Sequence, residues 1–122
     1  MKYFPDNKED LKKLCNDQSV KLGEIDTSRI TDMSGVFDRE CGRKDFSGIE
    51  NWNVSRVTNM SDLFRYLDFN GDISKWDVSN VKNMSHMFGG SSFNGDISNW
   101  DVSKVTDMFC MFRHRLLISP LN

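Results

Sequence analysis

The segment FNGDISKWDVSNVKNMSHMF, residues 69–88, returns 24 residues later as FNGDISNWDVSKVTDMFCMF, residues 93–112. Fourteen of the 20 positions are identical. Trp52, Trp76 and Trp100 share the 24-residue step, as do Met60, Met84 and Met108, and Phe64, Phe88 and Phe112. An earlier copy, IDTSRITDMSGVF, covers Ile25 to Phe37 and stands 27 residues before its successor, because the loop DRECGRKD lengthens the connection. We number the copies by these marks: Met33 and Phe37 in copy one, Met60 and Phe64 in two, Met84 and Phe88 in three, Met108 and Phe112 in four.

Self-similarity at this period predicts units that bury their apolar faces only by stacking on one another. The expected fold is an α/β repeat, a short leucine-rich-repeat-like solenoid of about four 24-residue coils. Within a coil, Trp76 and Val78 alternate as in a strand, and Asp77, Ser79 and Asn80 favour a turn. Met84, Met87 and Phe88 have the i, i+3, i+4 spacing of a short helical or 3₁₀ turn. The Trp and Met columns are the expected core, and Ser28, Ser55, Ser79 and Ser103 an expected hydrogen-bonded ladder. The Asn-Gly pairs also fit a meander of hairpins, but that rival does not account for the fixed period.

Three regions follow. Residues 1–21 are read as an N-terminal helical cap, with Leu11, Leu14 and Cys15 on one face and Asp6 or Asn7 as its N-cap. Residues 22–116 are the repeats. Residues 117–122 begin a fifth coil, since Leu117 and Leu121 keep the period. The thin C-terminal coil is an edge for end-to-end self-association.

Sixteen basic and 18 acidic residues leave a formal charge of −2, with no basic excess for nucleic acid. Nothing apolar is long enough for membrane insertion. The start MKYFPDNKEDLKKL has no apolar region of a signal peptide. Cys15, Cys41 and Cys110 are odd in number without CxxC spacing, which fits free thiols in a reducing, cytoplasmic compartment.

The string WDVSNVKNMSHMF, preceded by FNGDIS, resembles the repeat of the BspA-like family of bacterial and mycoplasmal surface proteins, described as a variant leucine-rich repeat. The match is carried by residues 69–88 and 93–112, and more loosely by 46–64 and 25–37. The resemblance implies a cell-surface or secreted location and a role in adhesion to a protein or host-surface ligand. It supplies no catalytic residues. Phe109, in the place of the usual Ser, departs from the family's pattern.

Two constellations bear on chemistry. Asp62, His86 and Cys110 occupy one repeat position, after Gly35, and would form a Cys–His–Asp relay or a mixed metal site if they met. The plainer reading is a free surface position, because Gly, Asp, His and Cys share nothing. Asp72 and Asp96, with Asp77 and Asp101, raise calcium but show no convergence of oxygens. No phosphate loop, nucleophile elbow or paired-carboxylate motif appears. The expectation is a non-enzymatic, cofactor-free binding module, with an intracellular scaffold or effector as the alternative and a small thiol enzyme or metal site as a second. Recognition is expected on the varying loops and one exposed sheet face: Tyr66 and Leu67 as anchors, with Lys75, Asp77, Asn99 and Asp101 beside them.

Overall fold

In a computed structural model of the chain, the structure describes residues 1–37 and 42–112. The expected start of a fifth coil at 117–122, Cys41 and the loop RHRL lie outside the described residues.

The N-terminal helix forms as its pattern dictates. Helix α1 spans Lys8–Cys15, and the Asn7 side chain accepts from the Asp10 N–H at 2.9 Å. Glu9 and Asp10 sit in the first turn, where the helix dipole favours them. Leu11 and Cys15 are fully buried against copy one.

The strand, turn and helix coils of the expected α/β solenoid do not form. Among the described residues there is no β-strand and no sheet; parallel pairing is confined to isolated bridges, Tyr3–Ile25, Asp32–Asn59, Asn59–Asn83 and Asn83–Asp107. Among the described residues, helical structure besides α1 is limited to 3₁₀ turns at Leu22–Glu24 and Ile49–Asn51. Two local features break the regular elements. Asp72 Oδ1 accepts from the Ser74 N–H at 3.0 Å, Asp77 Oδ1 from the Ser79 N–H at 3.1 Å and Asn83 Oδ1 from the Ser85 N–H at 2.9 Å, so Asx turns bend the chain three times in copy three. The same pairs recur at Asn53–Ser55 and Asn59–Ser61. The expected serine ladder is therefore absent as such: Ser55 and Ser79 bond within their own copy, to the residue two before.

The second break is a left-handed residue. Gly35, Asp62, His86 and Cys110 have φ of 60°, 61°, 55° and 55°. A helix cannot run through such a residue, which is why NMSHMF is a turn. The expectation of a free, unconstrained position is corrected here, since what these four share is backbone. The position is natural for Gly and tolerated by Asp and His.

Copies nonetheless stack in register, through hydrogen bonds that step from one to the next. The N–H groups of Met60, Asp62 and Phe64 donate to the carbonyls of Asn83, Ser85 and Met87 at 2.9–3.0 Å. Those of Met84, His86 and Phe88 donate to Asp107, Phe109 and Met111 at 2.8 Å. The tryptophans add a second tie. The indole N–H of Trp52, Trp76 and Trp100 donates back to Leu22, Ile49 and Ile73 at 2.8, 3.0 and 2.9 Å. A buried indole needs such an acceptor, and the column gives each one. Between the columns the rings are layered: Trp52 on Trp76, 6.3 Å apart and 4° from parallel, and Phe64 on Phe69 at 3.9 Å.

The cap completes copy one by imitating a copy. Asn16 Nδ2 donates to the Val36 carbonyl at 3.0 Å. Val36 stands where Met87 stands in copy three, so the Asn16 amide takes the part of a preceding Phe N–H. Arg43 fastens the cap from the other side. It is 8% exposed, and its guanidinium donates to the carbonyls of Cys15, Asp17 and Val20 at 2.7–2.9 Å. Gly48 lets copies one and two approach: at φ 92°, an added Cβ would lie 2.5 Å from the Gly23 nitrogen.

Candidate functional site

Tyr66 is the side chain most at odds with its backbone. Its φ is 64°, in a position that copy three fills with Gly90 at φ 68°. A bulky residue held there is strained by about 1–2 kcal/mol, and such outliers gather at functional positions. The strain is held by stacking, since the Tyr66 N–H donates to the Gly89 carbonyl at 2.9 Å. Its ring is 39% exposed, with the Arg65 guanidinium 4.8 Å from the ring centre. Asp62 holds Arg65 at 3.3 Å.

Tyr66 lines a cleft of about 320 Å³ together with Arg43, Lys44 and Asp68. Leu67, expected as a second anchor, is only 5% exposed and belongs to the core beneath this cleft. Lys44 also lines a neighbouring cleft of about 380 Å³, whose walls include Asp45, Glu50 and Asp72. Both openings arise where copy two departs from the others: the long loop before Phe46, and the residue missing between Phe46 and Ile49.

The carboxylates of the second cleft are preset. Asp45 Oδ1 accepts from the Ser47 hydroxyl at 2.6 Å and its N–H at 2.9 Å. Asp72 Oδ1 does the same with Ser74, at 2.7 and 3.0 Å. Glu50 Oε1 accepts from the Gly48 N–H at 2.8 Å. Hydrogen bonds from the serine hydroxyls, then from the serine N–H groups, hold Asp45 and Asp72 below the usual carboxylate range.

The other expected residues are scattered. Lys75, Asp77, Asn99 and Asp101 are exposed, but on turns rather than on a sheet face. Asp62, His86 and Cys110 follow one another along the stack. Asp62 contacts Arg65, and the His86 ring meets Phe109 edge-on at 5.5 Å. Among the described residues, no three His, Cys, Asp or Glu side chains converge as metal ligands would. Nor is any described helix long and apolar enough to cross a membrane.

The sequence pointed to the loop DRECGRKD, which holds Lys44 and Asp45, without singling out either residue, and it passed over Glu50. The signal was present in the period itself, since all three lie where it falters.

A model of the family described as "Mycoplasma protein of unknown function, DUF285" matches residues 8–115, and the chain belongs to this family. No curated protein matches the chain. No solved structure matches it either.

Proposed function

We propose that this member of the family is a non-enzymatic adhesion-type binding module that engages a host-surface ligand through the cleft beside Tyr66. The reading is carried by one observation: an exposed tyrosine kept in a left-handed conformation where its counterpart is glycine. A protein selected for stability alone would place glycine at both positions. The resemblance of the repeats to BspA-like surface proteins supports the same reading.

The test is a substitution in which stability and binding part company. Tyr66→Gly should fold at least as well as the parent, because glycine suits φ 64°. Labelled full-length protein is applied to cultured epithelial cells and to immobilised extracellular-matrix proteins. A loss of more than tenfold on either surface, with an unchanged or raised Tm, is expected. Equal binding by the parent and Tyr66→Gly removes the cleft from the site; no binding by the parent removes the adhesion reading. The alternative, an intracellular scaffold on the same surface, is separated by protease shaving of intact source cells: survival of the chain beside a cytosolic marker selects it.

A second reading, self-association through copy four, rests on apolar exposure. Met108, Phe109 and Phe112 are 44%, 67% and 41% exposed, whereas Met84 and Phe88 are buried. Phe109 occupies a position that is Ser in the other three copies. Sedimentation velocity should show a concentration-dependent dimer that Phe109→Ser weakens. A monomer across the whole range excludes it.

A further inference from the structure

We propose that the open end of copy four is a docking edge for a repeat turn carried by another protein chain, which adds in parallel as the next copy of the stack. This goes beyond the adhesion reading and does not depend on the cleft beside Tyr66.

The junctions between copies two, three and four use the same groups. Met60, Asp62 and Phe64 send their N–H groups forward to copy three, and Met84, His86 and Phe88 send theirs to copy four. One bond runs the other way. The N–H groups of Thr58, Lys82 and Thr106 donate back to the carbonyls of Thr31, Thr58 and Lys82, each at 2.8 Å. Copy four presents the same edge without a neighbour. Among the described residues, nothing accepts from the N–H of Met108, Cys110 or Phe112, and nothing donates to the Thr106 carbonyl. Cys110 has φ 55°, as His86 has, so this row of donors already holds the geometry that copy three uses. The side chains agree. Met84 and Phe88, which copy four covers, are 0% and 2% exposed, against 44% and 41% for Met108 and Phe112. Unpaired donors beside exposed apolar side chains form a template for a further segment.

The edge also selects its occupant. In a parallel ladder a strand contributes N–H and C=O groups in equal number. An edge of three donors and one acceptor leaves most N–H groups of such a strand unpaired. A repeat turn avoids this by bonding its own. In copy three, the carbonyls of Asn83, Ser85 and Met87 face copy two, while the Ser85 N–H goes to Asn83 Oδ1 at 2.9 Å and the Met87 N–H to the Met84 carbonyl at 3.2 Å. The occupant is therefore an Asx-turn segment with Met and Phe at the spacing of Met84 and Phe88, the continuation of a junction the chain already makes three times. In a second copy of this chain the equivalent carbonyls lie in copy one, where the Asn16 amide already holds that of Val36. The self-association reading needs only the exposed side chains of copy four; the backbone edge asks for a turn whose carbonyls are open.

The probe is a labelled synthetic peptide of residues 75–88, added to the full chain at a concentration where sedimentation velocity shows a monomer. Fluorescence anisotropy should show binding. Amide exchange at Met108, Cys110 and Phe112 should be fast in the free chain and slow at least tenfold with the peptide. Replacing Asn83 by Leu in the peptide removes the acceptor for the Ser85 N–H and should weaken binding at least tenfold. Met108→Gln in the chain should do the same with little change in Tm, because Met108 is half exposed. Slow exchange of the three amides in the free chain would show the edge to be covered already, and overturns the proposal. So does equal binding of a peptide of alternating valine and threonine, which has no Asx turn. Failure of the peptide to bind also overturns it, and a dimer of the chain alone would then leave the self-association reading standing.

Discussion

Copies one and four lie at opposite limits of the described stack and meet their surroundings differently. In copy one, Met33 and Phe37 are buried, although no repeat precedes them. In copy four, Met108 and Phe112 are 44% and 41% exposed, and Ile97, Val102 and Val105 only partly buried. The columns are the same, so the difference lies in what is laid on them. Copy one is closed by side chains: the Asn16 amide donates to the Val36 carbonyl as a preceding copy's N–H would, Lys8 donates to the Ser34 hydroxyl at 3.2 Å, and Arg43 ties down the end of α1. A repeat of this kind is stable in proportion to the neighbours it has, and a neighbour can be imitated by a few polar groups in register.

The comparison breaks most completely at Arg43. Arg43→Met leaves buried carbonyls without their donor, and should cost about 3 kcal/mol in urea unfolding. It should also release α1, seen as faster amide exchange over residues 8–15. Unchanged exchange there would show that α1 is held by Leu11 and Cys15 alone. Next is a matched pair: Met84→Ala should cost about 3 kcal/mol, and Met108→Ala less than about 1 kcal/mol. Equal losses would mean that Met108 is covered in solution. A smaller effect of opposite sign is expected from His86→Gly, which relieves a left-handed residue and should add about 0.5 kcal/mol after glycine's entropic penalty; a drop in Tm would show the His86 ring to matter more than its backbone.

The smallest effect is one of pH. Asp26, Asp77 and Asp101, in copies one, three and four, are held below their ordinary range by the serine two residues on, through its hydroxyl and then its N–H. A depressed folded pKa contributes stability that is present above the unfolded value and lost as pH falls through the folded one. The urea midpoint should stay level from about pH 7 to 5 and decline below about pH 4. A decline beginning near pH 6 would implicate a histidine instead.

The stacking was legible because Trp, Met and Phe recur at one spacing and are large enough to need burial. Helix α1 was legible from Asn7, Leu11 and Cys15. Their patterns are written in side chains. The failed expectation of strands and helices came from reading Trp76–Val78 and Met84–Phe88 by spacing alone, when Asx turns and a left-handed residue interrupt both. Gly35, Asp62, His86 and Cys110 share a dihedral angle and no chemistry, so they looked unrelated; Gly35 at their head was the available clue. Arg43 and Lys44 were not singled out within the loop DRECGRKD because it is the one insertion, where no second copy exists for comparison.

The bonds between copies also govern how the chain responds to force. They run along the stack, so a pull that separates its two ends loads one interface at a time. Each detached copy releases 24 residues, or 27 between copies one and two, roughly 80–90 Å of extended chain. The protein would lengthen in steps of similar size rather than fail at once, and would shed load copy by copy while the clefts beside copy two stay formed until their own interfaces open. Under the adhesion proposal, that is the behaviour of an extensible tether.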